Sequence, residues 1–246
     1  MYFSQMYQTL KQLVVSVIPK RFLFKHEIFF RSLFSFHLHG KKHLCIVCNN
    51  SSKKLVPIPD GDLLCTFCGS RSRTRRLHTF LTENKYLKGS VLHFSPSRSL
   101  YRQYKKNPEL QYFSTDFEDE FIAEYQYDIT NIPMADNSFD LIICYHILEH
   151  IKNDAKAMQE LKRVLKPEGV CVIQTPFKEG EIYEDNTLTT PEQRLEAFGQ
   201  EDHVRIYSIN GLTERLSKNG FQNIQTHNFD SNVYLGFLPE TIITAS

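Results

Sequence analysis

From Ser90 onward, short apolar runs alternate with helical stretches, and this alternation constrains the fold more than any other feature of the sequence. The run at 139–145 is almost wholly apolar, as is typical of a strand buried on both faces. After it, Met158, Leu161 and Leu165 recur at helical spacing. Repeated strand–helix units predict an α/β fold with a doubly wound, mostly parallel sheet and helices on both faces. The predicted strands are 90–94, 110–115, 125–127, 139–145, 170–175, 221–226 and 233–237.

Two C-x-x-C pairs precede this region. Cys45 and Cys48 form the first pair, and Cys65 and Cys68 form the second. Pairs at this spacing are typical of a zinc ribbon, in which four thiolates hold one structural ion. Four unmetallated thiols or two disulfides are the alternatives. We predict a zinc ribbon at 43–76 whose folding is coupled to metal binding, so that Cys48→Ser unfolds it and leaves much of the following domain, 77–246, intact.

The first part of the chain is basic. Residues 1–88 hold 15 Lys and Arg against 4 Asp and Glu, whereas the whole chain has 29 against 28. Residues 1–42 interleave apolar and basic side chains, as an interfacial amphipathic helix does. This predicts contact with an anionic membrane face or a partner protein, and packing on the domain is the alternative. The apolar members are Leu13, Val14, Ile18, Phe22, Leu23, Ile28, Phe29, Phe30, Leu33 and Phe34, and the basic members are Lys20, Arg21, Lys25 and Arg31.

The cysteine usage also bears on location. Two cysteine pairs and two single cysteines are typical of reduced thiols and a metal site. No stretch is long and apolar enough to span a bilayer. We expect a cytoplasmic protein, either free or peripheral to the inner membrane face.

Four arginines follow the second cysteine pair, at positions 71, 73, 75 and 76. They can grip nucleic-acid phosphates, form a solvated helix face, or pair with acidic groups of the second domain. Few aromatic residues are interleaved for base stacking, so nucleic acid is the less favoured partner.

The first predicted strand ends in a turn of small residues. Phe94 is followed by Ser95, Pro96 and Ser97, which open the next helix. A doubly wound sheet binds its ligand at the carboxyl ends of its strands. Small side chains and helix-start amides at this turn let a ligand approach the backbone.

The next two strands end in carboxylates. Asp116, followed by Phe117, lies at a spacing suited to accept hydrogen bonds from both hydroxyls of a ribose. At Asp128 a carboxylate can accept from an adenine amino group while Ile129 packs on the ring. A helix cap is the alternative for Asp116. Order and spacing together predict a nucleoside cofactor.

Residues 90–175 resemble class I S-adenosylmethionine-dependent methyltransferases of the type 11 kind. The resemblance rests on 128–150, which read DITNIPMADNSFDLIICYHILEH, and on 161–169, which read LKRVLKPEG. It implies S-adenosylmethionine as cofactor, with contacts at the first turn, at Asp116 and Asp128, and at the strand end that carries Cys144 and Tyr145. The sequence departs from the family by lacking a G-x-G-x-G motif at the first turn. The cysteine pairs and the segment 183–205 also resemble a bacterial group of methyltransferases.

Polar residues near the same sheet edge are candidates for the chemistry. His146 follows the strand that ends at Tyr145, and Asp202 and His203 lie in the long segment 177–207, which we predict to be a substrate lid. A general base helps methyl transfer to a hydroxyl or amine. A loop-stapling role is the alternative for His203.

The resemblance implies methyl transfer, and we expect the acceptor to be a small molecule or a cell-surface glycan precursor. An RNA methyltransferase that uses the zinc ribbon and the arginines is one alternative. A non-catalytic binding module is the other. No N/D-P-P-Y motif follows the strand with Cys144, which disfavours amine bases as substrates.

Overall fold

The computed structural model describes residues 20–246. Leu13, Val14 and Ile18 of the predicted amphipathic segment lie outside the described residues, as do the side chains of Lys20, Arg21, Leu23 and Phe34. The helices are α1 Lys20–Ser35, α2 Ser72–Glu83, α3 Arg98–Tyr104, α4 Asp154–Val164, α5 Pro191–Phe198 and α6 Ile209–Lys218, with 3-10 turns at Phe36–Leu38 and Leu148–His150. The strands are β1 His39–Cys45, β2 Asn50–Ser52, β3 Val56–Pro57, β4 Leu63–Leu64, β5 Gly89–Phe94, β6 Leu110–Thr115, β7 Phe139–Tyr145, β8 Leu165–Gln174, β9 Tyr183–Glu184, β10 Arg205–Ile206, β11 Gln225–Phe229 and β12 Glu240–Ala245.

Six strands form the central sheet, in the order β11-β12-β8-β7-β5-β6. The pairs β5–β6, β5–β7 and β7–β8 are parallel, while β12 is antiparallel to both β8 and β11. The predicted doubly wound, mostly parallel sheet is therefore confirmed. Because β5 lies between β6 and β7, the chain order switches at β5. A ligand crevice is expected outside the carboxyl ends of the strands at such a point.

The two faces of the sheet have separate apolar cores, because successive side chains of a strand point to opposite faces. Along β7, Ile142 and Cys144 pack in one core with α4 and α6, and Leu141 and Ile143 pack in the other. The Asn153 side chain caps α4 by accepting a hydrogen bond from the Lys156 amide.

The cysteine ribbon shares the second core. Val47 and Phe67 of the ribbon belong to the same buried cluster as Leu77 of α2 and Leu141 of β7. The Asp62 side chain, in the ribbon, accepts from the Ser72 amide at the start of α2. Helix α2 runs from Ser72 to Glu83 and so crosses the predicted boundary between 76 and 77. The ribbon therefore packs against the following domain through a shared core.

Of the predicted strands, two are absent from the structure, and a third differs in its bounds, since the strand expected at 221–226 lies at Gln225–Phe229. Residues 233–237 form turns with one isolated bridge, Asn232 to Phe237, and the last strand is Glu240–Ala245. Residues 125–127 contribute only the isolated bridge from Tyr125 to Thr115. Arg75 accounts for the absence of a strand at 233–237, because its guanidinium donates to the Leu235 and Gly236 carbonyls. Those carbonyls are bound by a side chain rather than by a neighbouring strand. None of the helices within 20–246 is apolar and long enough to cross a membrane.

Candidate active site and metal centres

The four paired cysteines converge on one point. The Sγ atoms of Cys45 and Cys68 are 3.6 Å apart, and those of Cys48 and Cys65 are 3.9 Å apart. Tetrahedral zinc with Zn–S bonds of about 2.3 Å places its sulfurs about 3.8 Å apart, so the four thiols fit such an ion. Asn49 and Gly69, one after each pair, have φ of +55° and +75°, and their amides donate to the Cys45 and Cys65 carbonyls. These turns give the two pairs matching knuckles.

At the turn after β5, Ser95 adopts a backbone conformation that is typical of glycine. Ser95 has φ of +44°, a region that L-residues seldom adopt. Its hydroxyl donates to Asp116 Oδ1 at 2.6 Å, and its amide donates to the Thr115 carbonyl. Ser97 caps α3 by accepting from the Leu100 amide. Phe94 and Pro96 are buried beside this turn.

Asp116 is 6% exposed and ties the first turn to the next loop. Its Oδ2 accepts from the Glu120 and Phe121 amides, at 2.7 and 3.0 Å. Phe117, by contrast, is 54% exposed. Oδ2 thus accepts two hydrogen bonds already, whereas Oδ1 accepts only the one from Ser95, so Oδ1 has a lone pair left to accept from a ribose.

The remaining predicted cofactor residues lie along the same edge. Asp128 is exposed, and its Oδ1 accepts from the amide and hydroxyl of Thr130. Ile129 is buried in the core. The Cys144 side chain is fully buried, and burial holds the pKa of its thiol well above the usual value. Only the backbone of Cys144 can therefore face a ligand. The Tyr145 hydroxyl is buried and faces the Glu240 carboxyl, although within the described chain it makes no hydrogen bond of ordinary geometry.

A cavity of about 690 Å³ lies between the sheet edge and the ribbon. The sheet contributes His146, Gln174, Thr175 and Glu240 to its walls. The ribbon side contributes charged residues. These are Asp60, Asp62, Arg71 and Arg73. Such a mixture of convergent polar groups is typical of a site for a polar ligand.

Four side chains that line this cavity have buried polar atoms with no hydrogen-bond partner within residues 20–246. The atoms are His146 Nε2, Gln174 Oε1, Thr175 Oγ1 and Glu240 Oε2. Burial raises the pKa of Glu240 to about 8. Buried polar groups are normally hydrogen-bonded, so their clustering here indicates a ligand-binding surface.

His146 is held at this edge by its backbone and its ring. Its φ is +57°, and its amide donates to the Gln174 carbonyl at 2.8 Å. Its Nδ1 lies 3.3 Å from Glu149 Oε1. Burial lowers the pKa of His146, which favours the neutral ring. A neutral ring with Nε2 facing the cavity can accept a proton.

Asp202 and His203 contact His150, in the turn that also carries His146. His203 is 3% exposed and stacks edge-on with His150, and Nδ1 of His150 is 3.0 Å from Asp202 Oδ2. Burial lowers the pKa of His203. The structure brings both residues to the turn after β7, but His203 does not line the cavity.

The segment 177–207 is anchored to that turn by Arg205, which is 4% exposed. Its guanidinium donates to the carbonyls of Leu148, Ile151 and Lys152. It also pairs with Glu184 of β9 at 2.9 Å. One end of the predicted lid is therefore fixed to the sheet.

Most of the four arginines that follow the second cysteine pair make contacts within the chain. Arg75 is fully buried and donates to four backbone carbonyls, and Arg76 lies over the rings of Phe229 and Phe237. Arg71 pairs with Asp60 and Asp62. These contacts join the ribbon and α2 to the chain around 230–237. Among the residues described, Arg73 has no hydrogen-bond or ion-pair partner, and it lines the cavity.

The sequence is similar to known methyltransferases over part of its length. Residues 78–173 match the family model described as "Methyltransferase domain". A "Probable S-adenosylmethionine-dependent methyltransferase" of Mycolicibacterium smegmatis is 30% identical over 95 residues, 39% of this chain and 33% of that protein. The chain spans between a quarter and less than half of the length of the curated relatives that it matches.

Solved structures share the fold at low identity. A S-adenosylmethionine-dependent methyltransferase from Archaeoglobus fulgidus superposes with a TM-score of 0.50 and 15% identity, over 69% of this chain and 92% of that one. The [4+2]-cyclase SpnF superposes with a TM-score of 0.51 and 17% identity, over 70% and 81%. Residues 78–173 therefore match the methyltransferase domain model, and the described chain has the class I S-adenosylmethionine-dependent methyltransferase fold.

Proposed function

We propose that this protein transfers the methyl group of S-adenosylmethionine to a polar small molecule or a cell-surface glycan precursor bound in the cavity. The main support is the set of four unpartnered polar atoms that line it, on His146, Gln174, Thr175 and Glu240. Together they offer both donors and acceptors, which suits an acceptor with several hydroxyl groups.

The cofactor would be held at the switch point of the sheet. The backbone amide of Ser97, the carboxylates of Asp116 and Asp128, and the apolar surface at Ile129 suit a nucleoside bearing a charged tail. Bound there, S-adenosylmethionine supplies a methyl group on a sulfonium. The left-handed Ser95 supports this assignment, because it gives the turn the backbone conformation of the absent glycine.

His146 is the candidate general base. Its Nε2 would take the proton of the acceptor hydroxyl and so make that oxygen a better nucleophile for methyl transfer. Glu149 orients the ring through the contact to Nδ1. Arg73, the arginine at the cavity without a partner in the described chain, would pair with an anionic group on the acceptor.

The four-cysteine centre would hold one structural zinc ion. All four ligands come from protein, which leaves no coordination position for substrate. Its role is to fix the ribbon, which supplies one wall of the cavity.

Helix α1 would lie on an anionic membrane face. Its inner side is tied to α3, because Glu27 pairs with Arg102 and Phe24 packs under the same guanidinium. Its outer side exposes a group of large apolar residues, and Lys25 is exposed as well. The apolar group is Phe22, Ile28, Phe29, Phe30 and Leu33. Sedimentation with vesicles tests this, and equal pelleting with and without anionic lipid would exclude the membrane role.

Two measurements test the methyltransferase function. Calorimetry with S-adenosylhomocysteine should show one site per chain. Methyl release should then be measured on hydroxylated acceptors with and without phosphate or carboxylate groups. His146→Ala should cut turnover about 10²–10⁴-fold and leave S-adenosylhomocysteine affinity nearly unchanged. The control is His43→Ala, since His43 lies in the ribbon strand β1. Absence of any S-adenosylhomocysteine binding would overturn the proposal.

A further inference from the structure

Three metal-ligating side chains meet where the turn after β7 contacts the segment 177–207. One ligand atom each from Glu149, His150 and His203 lies within 4.8 Å of the other two. Glu149 is 1% exposed and His203 is 3% exposed. We propose that these three residues bind one divalent transition-metal ion, at a site separate from the four-cysteine centre.

Two of the three residues have a buried polar atom that lacks a hydrogen-bond partner in the described part of the chain. These atoms are Glu149 Oε2 and His203 Nδ1. The other carboxylate oxygen of Glu149 contacts His146 Nδ1 at 3.3 Å, which holds the side chain in place and leaves Oε2 for an ion. A carboxylate buried to this extent requires a compensating charge. A bound cation supplies that charge and satisfies both atoms at once.

Asp202 supports the third ligand. Its Oδ2 lies 3.0 Å from His150 Nδ1. Histidines that bind metals usually pair their second ring nitrogen with a carboxylate, which fixes the ring and raises its basicity. The contact to Asp202 leaves Nε2 of His150 available to the metal. The cluster thus has three ligands and two orienting partners, His146 and Asp202.

The ligand types define the class of ion. Two imidazole nitrogens and one carboxylate oxygen suit zinc, iron(II), cobalt(II) or manganese(II) better than magnesium or calcium. Bonds of about 2.0–2.2 Å require ligand atoms roughly 3–3.5 Å apart, so small side-chain rotations must draw the three together. Because Glu149 and His150 follow β7 and His203 lies in the 177–207 segment, the ion joins these two parts of the chain beside the cavity.

Cobalt(II) tests the site in the full chain, since its absorption distinguishes thiolate ligands from nitrogen and oxygen ligands. The protein is first loaded with one equivalent of zinc and then titrated with cobalt(II). We expect one further equivalent to bind, with weak visible bands and without thiolate charge-transfer absorption. Zinc-loaded wild-type protein that binds no second equivalent overturns the proposal, whatever the variants do.

Variants assign the ligands. His203→Asn and Glu149→Gln should each abolish the second equivalent while the first zinc is retained. Asp202→Asn should weaken cobalt(II) binding about 10–100-fold, as expected when an orienting partner is lost. His37→Asn, an exposed histidine before the ribbon, is the matched control and should bind both metals normally. A second equivalent of unchanged affinity in both ligand variants would assign the ion to other residues and overturn the proposal.

Discussion

Ser95, at φ of +44°, donates its hydroxyl to Asp116 Oδ1 across the carboxyl ends of β5 and β6. A left-handed serine costs about 1–2 kcal/mol relative to its usual conformation. The hydrogen bond to a buried carboxylate offsets part of that cost. Two residues that the sequence places 21 positions apart thus form one structural unit at the proposed cofactor edge.

Asp116→Ala should weaken S-adenosylhomocysteine binding by roughly 1.5–3 kcal/mol, the range for losing hydrogen bonds to a charged group. Calorimetry measures this directly. Because Asp116 also holds the Glu120 and Phe121 amides, Asp116→Asn separates the two effects. The control is Glu118→Ala, an exposed change in the same loop. Equal affinity for wild type and Asp116→Ala would remove this residue from the site.

Glu240 predicts a pH-dependent stability. Burial raises its pKa to about 8 from an ordinary 4.5, while Tyr145, Arg73 and Arg76 act in the opposite direction and Asp62 adds to the rise. Between these two values the folded state keeps a proton that the unfolded state has released. The contribution of Glu240 to the free energy of unfolding therefore falls as pH rises from about 4.5 to about 8.

Glu240→Gln should flatten that dependence and make the protein more stable than wild type at pH 8, by on the order of 2–4 kcal/mol. Urea unfolding at pH 5, 6.5 and 8 measures the effect. Glu201→Gln, an exposed change, should leave the wild-type slope in place. An identical slope in wild type and Glu240→Gln would show that Glu240 is ionised in the folded protein at neutral pH.

Loss of the four-cysteine centre should destabilise the whole described fold and not the ribbon alone. Val47 and Phe67 pack in one cluster with Leu141 and Ile143 of the central strand β7. Cys48→Ser should therefore cost about 4–6 kcal/mol and lower the melting temperature by roughly 10–20 °C. Circular dichroism and zinc release should report a single transition.

The matched control for Cys48→Ser is Cys171→Ala, a buried cysteine of β8 outside the cluster, which should keep its zinc. A Cys48→Ser protein whose sheet melts at the wild-type temperature would restore the independent ribbon predicted from the sequence.

Arg205→Ala should loosen the segment 177–207 and cost about 2–3 kcal/mol, because the Leu148, Ile151 and Lys152 carbonyls lose a charged donor. Limited proteolysis should then cut between β9 and β10 faster than in wild type. Arg194→Ala, in α5 of the same segment, serves as the control. Unchanged cleavage in Arg205→Ala would mean that other contacts hold the segment.

The sequence predicted the regular part of the fold well where the apolar pattern is strong. Strands β6 and β7 have the predicted bounds, because their side chains fill the two cores. It failed at 233–237, where an apolar run is exposed at Val233 and Tyr234 and its backbone is bound by Arg75. An arginine 160 positions away leaves no periodic signal in the run itself.

The candidate site was only partly accessible from the sequence. The cysteine spacing correctly predicted that four thiols come together. The predicted strand ends correctly placed Asp116 and His146 at the edge of the sheet. Glu240 was not predicted, and Arg73 was predicted only as one of four arginines, since both reach the cavity only when β12 and the ribbon meet at the sheet edge. Their roles depend on tertiary packing, which residue spacing does not record.

The shared core also limits where the chain can be shortened. A chain starting at residue 78, where the family match begins, would lack the ribbon and half of α2. The core that contains Leu141 and Ile143 would then lose Val47, Leu55, Phe67 and Leu77. We expect such a truncated protein to aggregate on expression, because it presents a wide apolar patch to solvent. We therefore expect any fragment that keeps this sheet folded to need the cysteine ribbon as well.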